Sequence, residues 1–180
     1  KFPKTSLDSF TYQEYLPNDD YTLDLAIKAC YRQVFGNLFP MESERPIESE
    51  RHLRNGDIPI REFIRQLAKS PFYRTNYFEN VNQQRFLELS FKHLLGRPPL
   101  NQEEVIKHVE ILYKEGFDYH IDYLIDSLEY EEAFGAFTVP YQRFWNSPCG
   151  ATTSGFVNTA TLTRSFATSD NAIHERKTLS

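Results

Sequence analysis

The chain has 180 residues, of which 40% are hydrophobic and 15% aromatic. This length and composition predict one folded domain with its own core and exclude a disordered chain. The formal net charge of −5 argues against nucleic acid as the main partner. No apolar run approaches the ~20 residues that a membrane-spanning helix needs. The two cysteines lie far apart, so they give no disulfide framework and fit a reducing compartment.

The N-terminal third predicts an irregular arm followed by an amphipathic helix. Residues 1–17 contain prolines and scattered aromatic residues without helical period, which predicts an arm that packs on the domain or on a partner. Residues 18–20 read Asn-Asp-Asp, a sequence with typical N-cap chemistry. From Leu23 to Val34, apolar residues recur every three or four positions, and Gly36 ends the predicted helix.

Three further helices are predicted before residue 80. Residues 48–55 form a polar helix whose alternating charges predict a solvated face of weak ion pairs, with a binding face as the alternative. Pro59 stands where the next helix begins. Ser70 and Pro71 are typical of the N-cap and first position of a short aromatic helix that follows.

Residues 83–99 predict one amphipathic helix with a sharp end. Gly96 stands where a helix commonly adopts a left-handed residue, and Pro98 and Pro99 prevent continuation. Asn101 and Glu104 resemble a capping box that begins the next helix.

Two later elements complete the helical set. Asp118 begins a helix, and a short segment covers residues 129–134. No segment before residue 137 alternates with a period of two. The sequence therefore predicts a compact all-α domain of about seven helices within residues 18–145.

Two stretches of the chain repeat. Residues 30–37, CYRQVFGN, match residues 90–97, SFKHLLGR, at an offset of 60, and Gly56 matches Gly116 at the same offset. Residues 63–73, FIRQLAKSPFY, match residues 120–130, HIDYLIDSLEY, at an offset of 57. These matches predict two copies of one helical unit around a shared core, with about three extra residues in the first copy.

The C-terminal part differs in composition. Residues 146–172 are rich in Ser, Thr, Asn and Gly, with isolated large apolar residues. This composition predicts that residues 146–180 form a non-helical tail that is flexible or ordered by a partner.

Residues with catalytic or ligand-binding chemistry give no enzyme pattern. The five histidines form no recognisable metal motif, and His93, beside an apolar stripe, is read as a packing residue. Cys30 is read as a small buried hydrophobe. Cys149 lies in a Pro-Cys-Gly turn and is a candidate for thioether attachment of a group, with an unmodified loop residue as the alternative. No phosphate-binding loop or nucleophile elbow is present, so no catalytic residue, metal or cofactor is predicted.

The remaining candidate site is a surface rich in arginine and aromatic residues, the types that anchor protein interfaces. Alternatively, these long side chains cover the edge of the domain's own core. The predicted partner-binding residues are Arg51, Arg54, Arg61, Arg65, Arg74, Arg97, Tyr141, Arg143, Phe144 and Trp145.

Three segments, taken together, resemble the phycobilisome linker-polypeptide domain. They read ESERHLRNGDIPIREFIRQLAKSPFYRTNYF, then RFLELSFKHLLGRPPLNQEEV, then GFDYHIDYLIDSLEYEEAFG before TVPYQRFWN. The resemblance runs from about Leu23 to Tyr141, and the following SGFVNTATLTRSFATSDNA is most similar to the tail of a rod linker.

The resemblance implies a non-catalytic antenna protein. Such a domain would fill the cavity of phycobiliprotein hexamers, phycocyanin first among them, join stacked discs and other linkers, and tune energy transfer. It would lie within the phycobilisome, on the cytoplasmic or stromal face of the thylakoid membrane, and carry no bilin of its own; a bilin-bearing variant would use Cys149. Exposed aromatic residues predict self-association of the isolated domain.

Other assignments stay open at this point. Within the family, the alternatives are a repeat of the core–membrane linker and a rod–core linker. Outside it, the alternative is an unrelated helical adaptor that binds protein partners through the same arginine and aromatic surface. Linkers of this family tend to be basic, whereas this chain is acidic, so its basic residues are expected to lie on one face.

Overall fold

The structure, a computed structural model, describes residues 20–38 and 40–143. It confirms an all-α fold, with no strand and eight α-helices in the described ranges, where about seven helices were predicted. The helices are α1 (Asp20–Phe35), α2 (Ile47–Arg54), α3 (Ile60–Ala68), α4 (Pro71–Tyr73), α5 (Gln83–Ser90), α6 (Gln102–Glu115), α7 (Phe117–Ile125) and α8 (Leu128–Phe134). A 3₁₀ turn, Glu42–Glu44, precedes α2.

The helices follow the predicted repeat. We call α1 to α4 with the turns that follow them the first unit (residues 20–79), and α5 to α8 the second unit (residues 83–134). Helices α3 and α7 begin 57 residues apart and end 57 residues apart, and so do the first residues of α4 and α8. Three residues, 57–59, separate Gly56 from α3, whereas Gly116 directly precedes α7. The predicted three-residue difference between the copies is therefore confirmed.

Matched hydrogen bonds support the repeat at atomic detail. The Ser70 hydroxyl donates to the Leu67 carbonyl at 2.7 Å and accepts the Tyr73 N–H at 3.2 Å. The Ser127 hydroxyl makes the same two bonds in the second unit, to Leu124 and from Tyr130, at 2.7 and 3.2 Å. Each serine thus ends one helix and caps the next.

The helix predicted over residues 83–99 differs from expectation in its last part. The α-helix covers Gln83–Ser90, and the chain continues as a π-helix over Phe91–Leu95. Gly96 then ends the helix at φ 68°, in the predicted left-handed conformation. A second π-helix, Arg74–Glu79, extends α4. Local sequence patterns predict helix here, and they do not distinguish the i+5 bonding of a π-turn.

One hydrophobic core is shared by both units. Helix α1 packs against the π-helix that follows α5, and α3 packs against α7. The Gln33 side chain joins the units directly, since its amide donates to the carbonyls of Lys92 and His93 at 3.1 and 2.9 Å. Cys30 is fully buried in this core, as predicted. Burial of such apolar side chains stabilises a domain by about 1.5–3 kcal/mol each.

The model leaves some predictions outside its scope. The N-terminal arm and the 146–180 tail lie outside the described residues, and so do the candidate N-caps at positions 18 and 19. Among the helices of the described ranges, none combines the length and the hydropathy that crossing a bilayer requires.

Candidate partner-binding surface

The first group of predicted arginines lies on α2. Arg51 is the most exposed of them, with 63% of its side chain accessible, and it pairs only with exposed Glu48 in the described structure. Arg54 reaches α1, where its guanidinium lies 2.5 Å from Asp24. These two contacts match the weak ion pairs predicted for this helix.

Two basic residues that the sequence analysis missed extend this group. Lys28 and Arg32 are exposed on α1, one and two turns beyond Asp24. Their four-residue spacing on the polar side of an amphipathic helix was the available indication. We call Lys28, Arg32, Arg51 and Arg54 the α1–α2 basic ridge.

The buried side of α2 departs from the predicted solvated face. Glu50 is only 7% exposed and accepts a hydrogen bond of 2.5 Å from the Tyr31 hydroxyl. Arg45 completes this group with two bonds to Glu50 at 3.0 and 2.8 Å. Burial, together with the bond to Glu50, raises the pKa of Tyr31. The prediction that the glutamates of α2 are all solvated is therefore wrong at Glu50, which anchors α2 to α1.

Arg61 and Arg65 lie on α3 and contact the second unit. Arg65 donates to Asp122 at 2.5 Å and to Asp126 at 2.6 and 3.1 Å. Arg61 lies 2.8 Å from Asp126 and also pairs with Glu131. The bonds from Arg65 and Arg61 hold the pKa of Asp126 below its usual value, although burial opposes them.

Lys69 completes the same contact one turn further along α3. Its ammonium lies 2.7 Å from Asp122. Partial burial would raise the pKa of Asp122, but the bonds from Lys69 and Arg65 outweigh it and lower that pKa. We call the surface where α3 and α7 meet, with these ion pairs, the α3–α7 seam.

Arg97 is buried instead of exposed. It is 4% accessible and binds two carboxylates, Glu104 at 2.7 and 3.0 Å and Glu129 at 2.6 Å on both of its contacts. Its guanidinium also lies 5.2 Å from the Phe91 ring centre. Burial would lower the pKa of Arg97, but Glu129 and Glu104 outweigh it and raise that pKa. This arginine joins the end of α5 to α6 and α8, so a partner would have to displace these bonds to reach it.

Tyr141 and Arg143 belong to a segment that crosses the end of the α5 helix. The Arg143 N–H donates to the Gly96 carbonyl at 2.7 Å, and its guanidinium lies 3.0 Å from Glu129. The Tyr141 ring packs edge-on against Phe134 with centres 5.3 Å apart. Phe144, Trp145 and Cys149, the remaining predicted residues, lie outside the described residues.

Arg74 occupies a separate position near the start of α7. Its guanidinium lies 3.1 Å from Asp118 and 4.8 Å from the Phe117 ring centre, and 41% of the side chain is exposed. The predicted residues therefore do not form one patch. Arg51, Arg54 and Arg74 keep substantial exposure, whereas Arg61, Arg65, Arg97 and Arg143 make ion pairs within the chain that hold the surface in shape. Partner contact stays a prediction for all of them.

The histidines of the second unit are buried. His120 lies 3.1 Å from the Ser90 hydroxyl and 3.5 Å from His108. Burial lowers the pKa of His108 to about 4, and burial with the neighbouring His108 lowers that of His120 to about 3. His93 packs on two tyrosine rings and lies 3.2 Å from the Tyr73 hydroxyl, which fits its reading as a packing residue. At neutral pH these groups are neutral members of the core.

The described part of the chain is thus a duplicated all-helical domain whose charged residues mostly connect its own helices. Comparison with known proteins places it further. The family model "Phycobilisome Linker polypeptide" matches residues 18–143, which include every helix described above. The chain belongs to this family.

Individual relatives agree with the family match. The chain is 49% identical over 146 residues to a phycoerythrin class 2 subunit gamma, linker polypeptide, of Synechococcus sp., covering 81% of this chain and 50% of that protein. It is 46% identical over 160 residues to a phycocyanin-associated rod linker polypeptide of Synechocystis sp., covering 87% and 55%. A phycoerythrin-associated rod linker of Microchaete diplosiphon is 46% identical over 147 residues, covering 82% and 59%. The chain spans about half the length of these curated relatives.

Proposed function

We propose that this domain is a linker of phycobilisome rods that binds phycobiliprotein rings and joins neighbouring discs without catalysis. The observation that carries the proposal is the match of the whole helical domain to the linker family, with relatives named as rod linkers. The burial of its histidines and of Cys30 also supports a structural role over a catalytic one. Its place would be within the phycobilisome, on the cytoplasmic or stromal face of the thylakoid membrane.

The α1–α2 basic ridge is the contact surface that the geometry favours. Its members are exposed, and Arg51 and Arg54 are held only by partly exposed carboxylates. Such pairs contribute about 0–1 kcal/mol, so a partner carboxylate can replace them at low cost. Arg74, with its exposed guanidinium on the Phe117 ring, is proposed as a second contact. Phe144 and Trp145 would extend the surface along the chain that follows Arg143.

The relatives leave two ring proteins as candidates. Some are named as phycocyanin-associated and others as phycoerythrin-associated. We propose phycocyanin as the first partner, with phycoerythrin as the alternative. A preference for allophycocyanin would instead indicate a rod–core linker or a repeat of the core–membrane linker.

Sedimentation velocity of the 180-residue chain mixed with linker-free phycocyanin, phycoerythrin or allophycocyanin tests these assignments. Co-sedimentation with phycocyanin as a hexamer-sized species, with red-shifted emission, is the expected result. Association with phycoerythrin alone would change the partner and keep the rod assignment. Absence of association with any of the three, at low and moderate salt, would overturn the linker proposal for this domain.

Variants of the basic ridge test the proposed surface. We expect Arg51→Ala with Arg54→Ala to weaken binding by about tenfold or more, since charged anchors at an interface commonly contribute 1–2 kcal/mol or more each. The matched control is Lys114→Ala, which removes an exposed cation paired with Glu110 on α6, in the acidic second unit. Equal loss in both variants, or none in either, would exclude the ridge as the contact.

A further inference from the structure

The α3–α7 seam carries opposite charges at equivalent positions of the repeat. Three bases recur every fourth residue along α3, and three acids recur with the same spacing along α7. The bases are Arg61, Arg65 and Lys69, and the acids are Asp118, Asp122 and Asp126. Each acid follows one base by 57 residues, the offset that relates α7 to α3. At all three positions, therefore, one unit is basic where the other is acidic.

The ion pairs show that the two helices meet about an approximate twofold axis. Arg65 contacts Asp122, its own equivalent in the second unit, so the axis passes close to this pair. Arg65 also contacts Asp126, and Lys69 contacts Asp122. These two contacts exchange with each other when each residue is replaced by its equivalent. A helix that lies on such an axis meets its own positions in the opposite helix.

This symmetry makes the charge inversion consequential. If both units carried the charges of the first, Arg65 would face a second arginine, and Lys69 would face it as well. If both carried the charges of the second, aspartates would face one another at the same places. Like charges in contact disfavour an interface strongly, because each loses water without gaining a partner. Only the pairing of one basic with one acidic stripe satisfies the seam.

We infer that the inverted charges of α3 and α7 are specificity determinants for the pairing of the two units. The α3 stripe accepts a helix with an acidic stripe of the α7 type and rejects a copy of itself. Burial supports more than a set of independent surface pairs, because the Arg65 side chain is only 16% exposed and binds three carboxylates, those of Glu62, Asp122 and Asp126. A guanidinium held in this way positions the α7 helix as a whole.

Three variants of the full chain test this inference. The first makes both stripes acidic by Arg65→Asp with Lys69→Asp, and the second makes both basic by Asp122→Arg with Asp126→Lys. The third combines all four changes, which exchanges the charges between the units. Urea unfolding gives the midpoint of each at low salt, and again at about 0.5 M NaCl, where the Debye length falls to roughly 4 Å.

We expect both single-sign variants to unfold at clearly lower urea and the exchanged variant to regain at least half of that loss. Added salt is expected to raise the midpoints of the single-sign variants relative to the wild type, because it screens repulsion. The matched control exchanges Arg51 and Glu48 on α2, through Arg51→Glu with Glu48→Arg, and should shift the midpoint little. This exposed pair has the same charges and lies outside the seam.

The exchanged variant decides the outcome even if the single-sign variants do not fold. A cooperative transition in the exchanged variant then supports the inference, since its seam is the only one restored. An exchanged variant that loses as much as the two single-sign variants added together would overturn the inference. Its charges would then act on their local surroundings and would not select a partner.

Discussion

The two units share a backbone framework and differ in the charges and core side chains that it carries. Gly36 and Gly96 end their first helices at φ 59° and 68°, and Ser70 and Ser127 cap their last helices with the same bonds. The first unit has nine basic and nine acidic residues, whereas the second has five and eleven. Positions that set the course of the backbone are thus alike, and positions that face solvent or a partner are not.

The cores differ at equivalent positions as well. Cys30 and Phe63 of the first unit correspond to Ser90 and His120 of the second, and all four are fully buried. In the second unit, hydrogen bonds link Ser90, His120 and His108. The same framework therefore encloses an apolar layer in one unit and a polar chain in the other, and the predictions below exploit this difference.

The largest expected effect is loss of stability in mild acid, which the histidines of the second unit cause. Their folded-state pKa values, about 4 for His108 and about 3 for His120, lie below the ordinary value of 6.5. The unfolded chain therefore binds protons more readily, so stability is fully present above pH 6.5 and is lost as the pH falls. Each histidine contributes a slope of about 1.4 kcal/mol per pH unit, or about 5 kcal/mol for both by pH 4.5. Urea unfolding between pH 7 and 4.5 measures it.

The first unit supplies the control for this prediction. His120→Phe places in the second unit the residue that the first unit has at position 63. We expect this variant to show about half the slope of the wild type above pH 4.5. Measurements stay above that pH because Glu104, Asp122 and Asp126, whose pKa values are lowered, titrate below it and add their own losses. A slope that is the same in both proteins would show that other groups bind the protons.

Two glycines with positive φ are expected to differ next in size of effect. A Cβ atom at Gly96 would lie 1.9 Å from the Tyr141 carbonyl oxygen, whereas one at Gly56 would meet nothing within 4 Å. We expect Gly56→Ala to cost about 1 kcal/mol for its left-handed backbone. Gly96→Ala should cost about 3 kcal/mol or more, since it must also displace the segment that carries Tyr141 and Arg143. Equal losses of unfolding free energy in the two variants would show that this segment contributes nothing to stability.

The framework that these glycines define is the part of the molecule that the sequence predicts well. Helix ends depend on local features, such as the Ser70-Pro71 cap and the left-handed Gly96, and the repeat offsets locate the three extra residues in the first unit. The positions of Glu50 and Arg97 were not predictable in the same way. Their burial follows from distant partners, Tyr31 and Glu129, whose proximity no local pattern reports.

The seam lies between these two cases. Alignment of the repeats at offset 57 already places Arg65 opposite Asp122 in sequence, so the charge inversion was visible before the fold. What the sequence could not show is that α3 and α7 touch about an approximate axis, which turns an alignment of residues into a contact. Two of the predicted partner-binding residues, Arg61 and Arg65, are therefore found in ion pairs between the units.

The smallest expected effect compares two equivalent tyrosines. The Tyr73 hydroxyl lies 3.2 Å from the His93 Nδ1 atom, whereas the buried Tyr130 hydroxyl has no hydrogen-bond partner among the described residues. We expect Tyr73→Phe to destabilise the protein by about 1 kcal/mol, because it leaves the His93 nitrogen without this partner. Tyr130→Phe should be neutral or stabilise by up to about 1 kcal/mol, because it removes an unsatisfied polar group and keeps the ring packed on Phe134. Urea unfolding of both variants at pH 7 measures the difference, and a clear loss in Tyr130→Phe would indicate that its hydroxyl is hydrogen-bonded in solution.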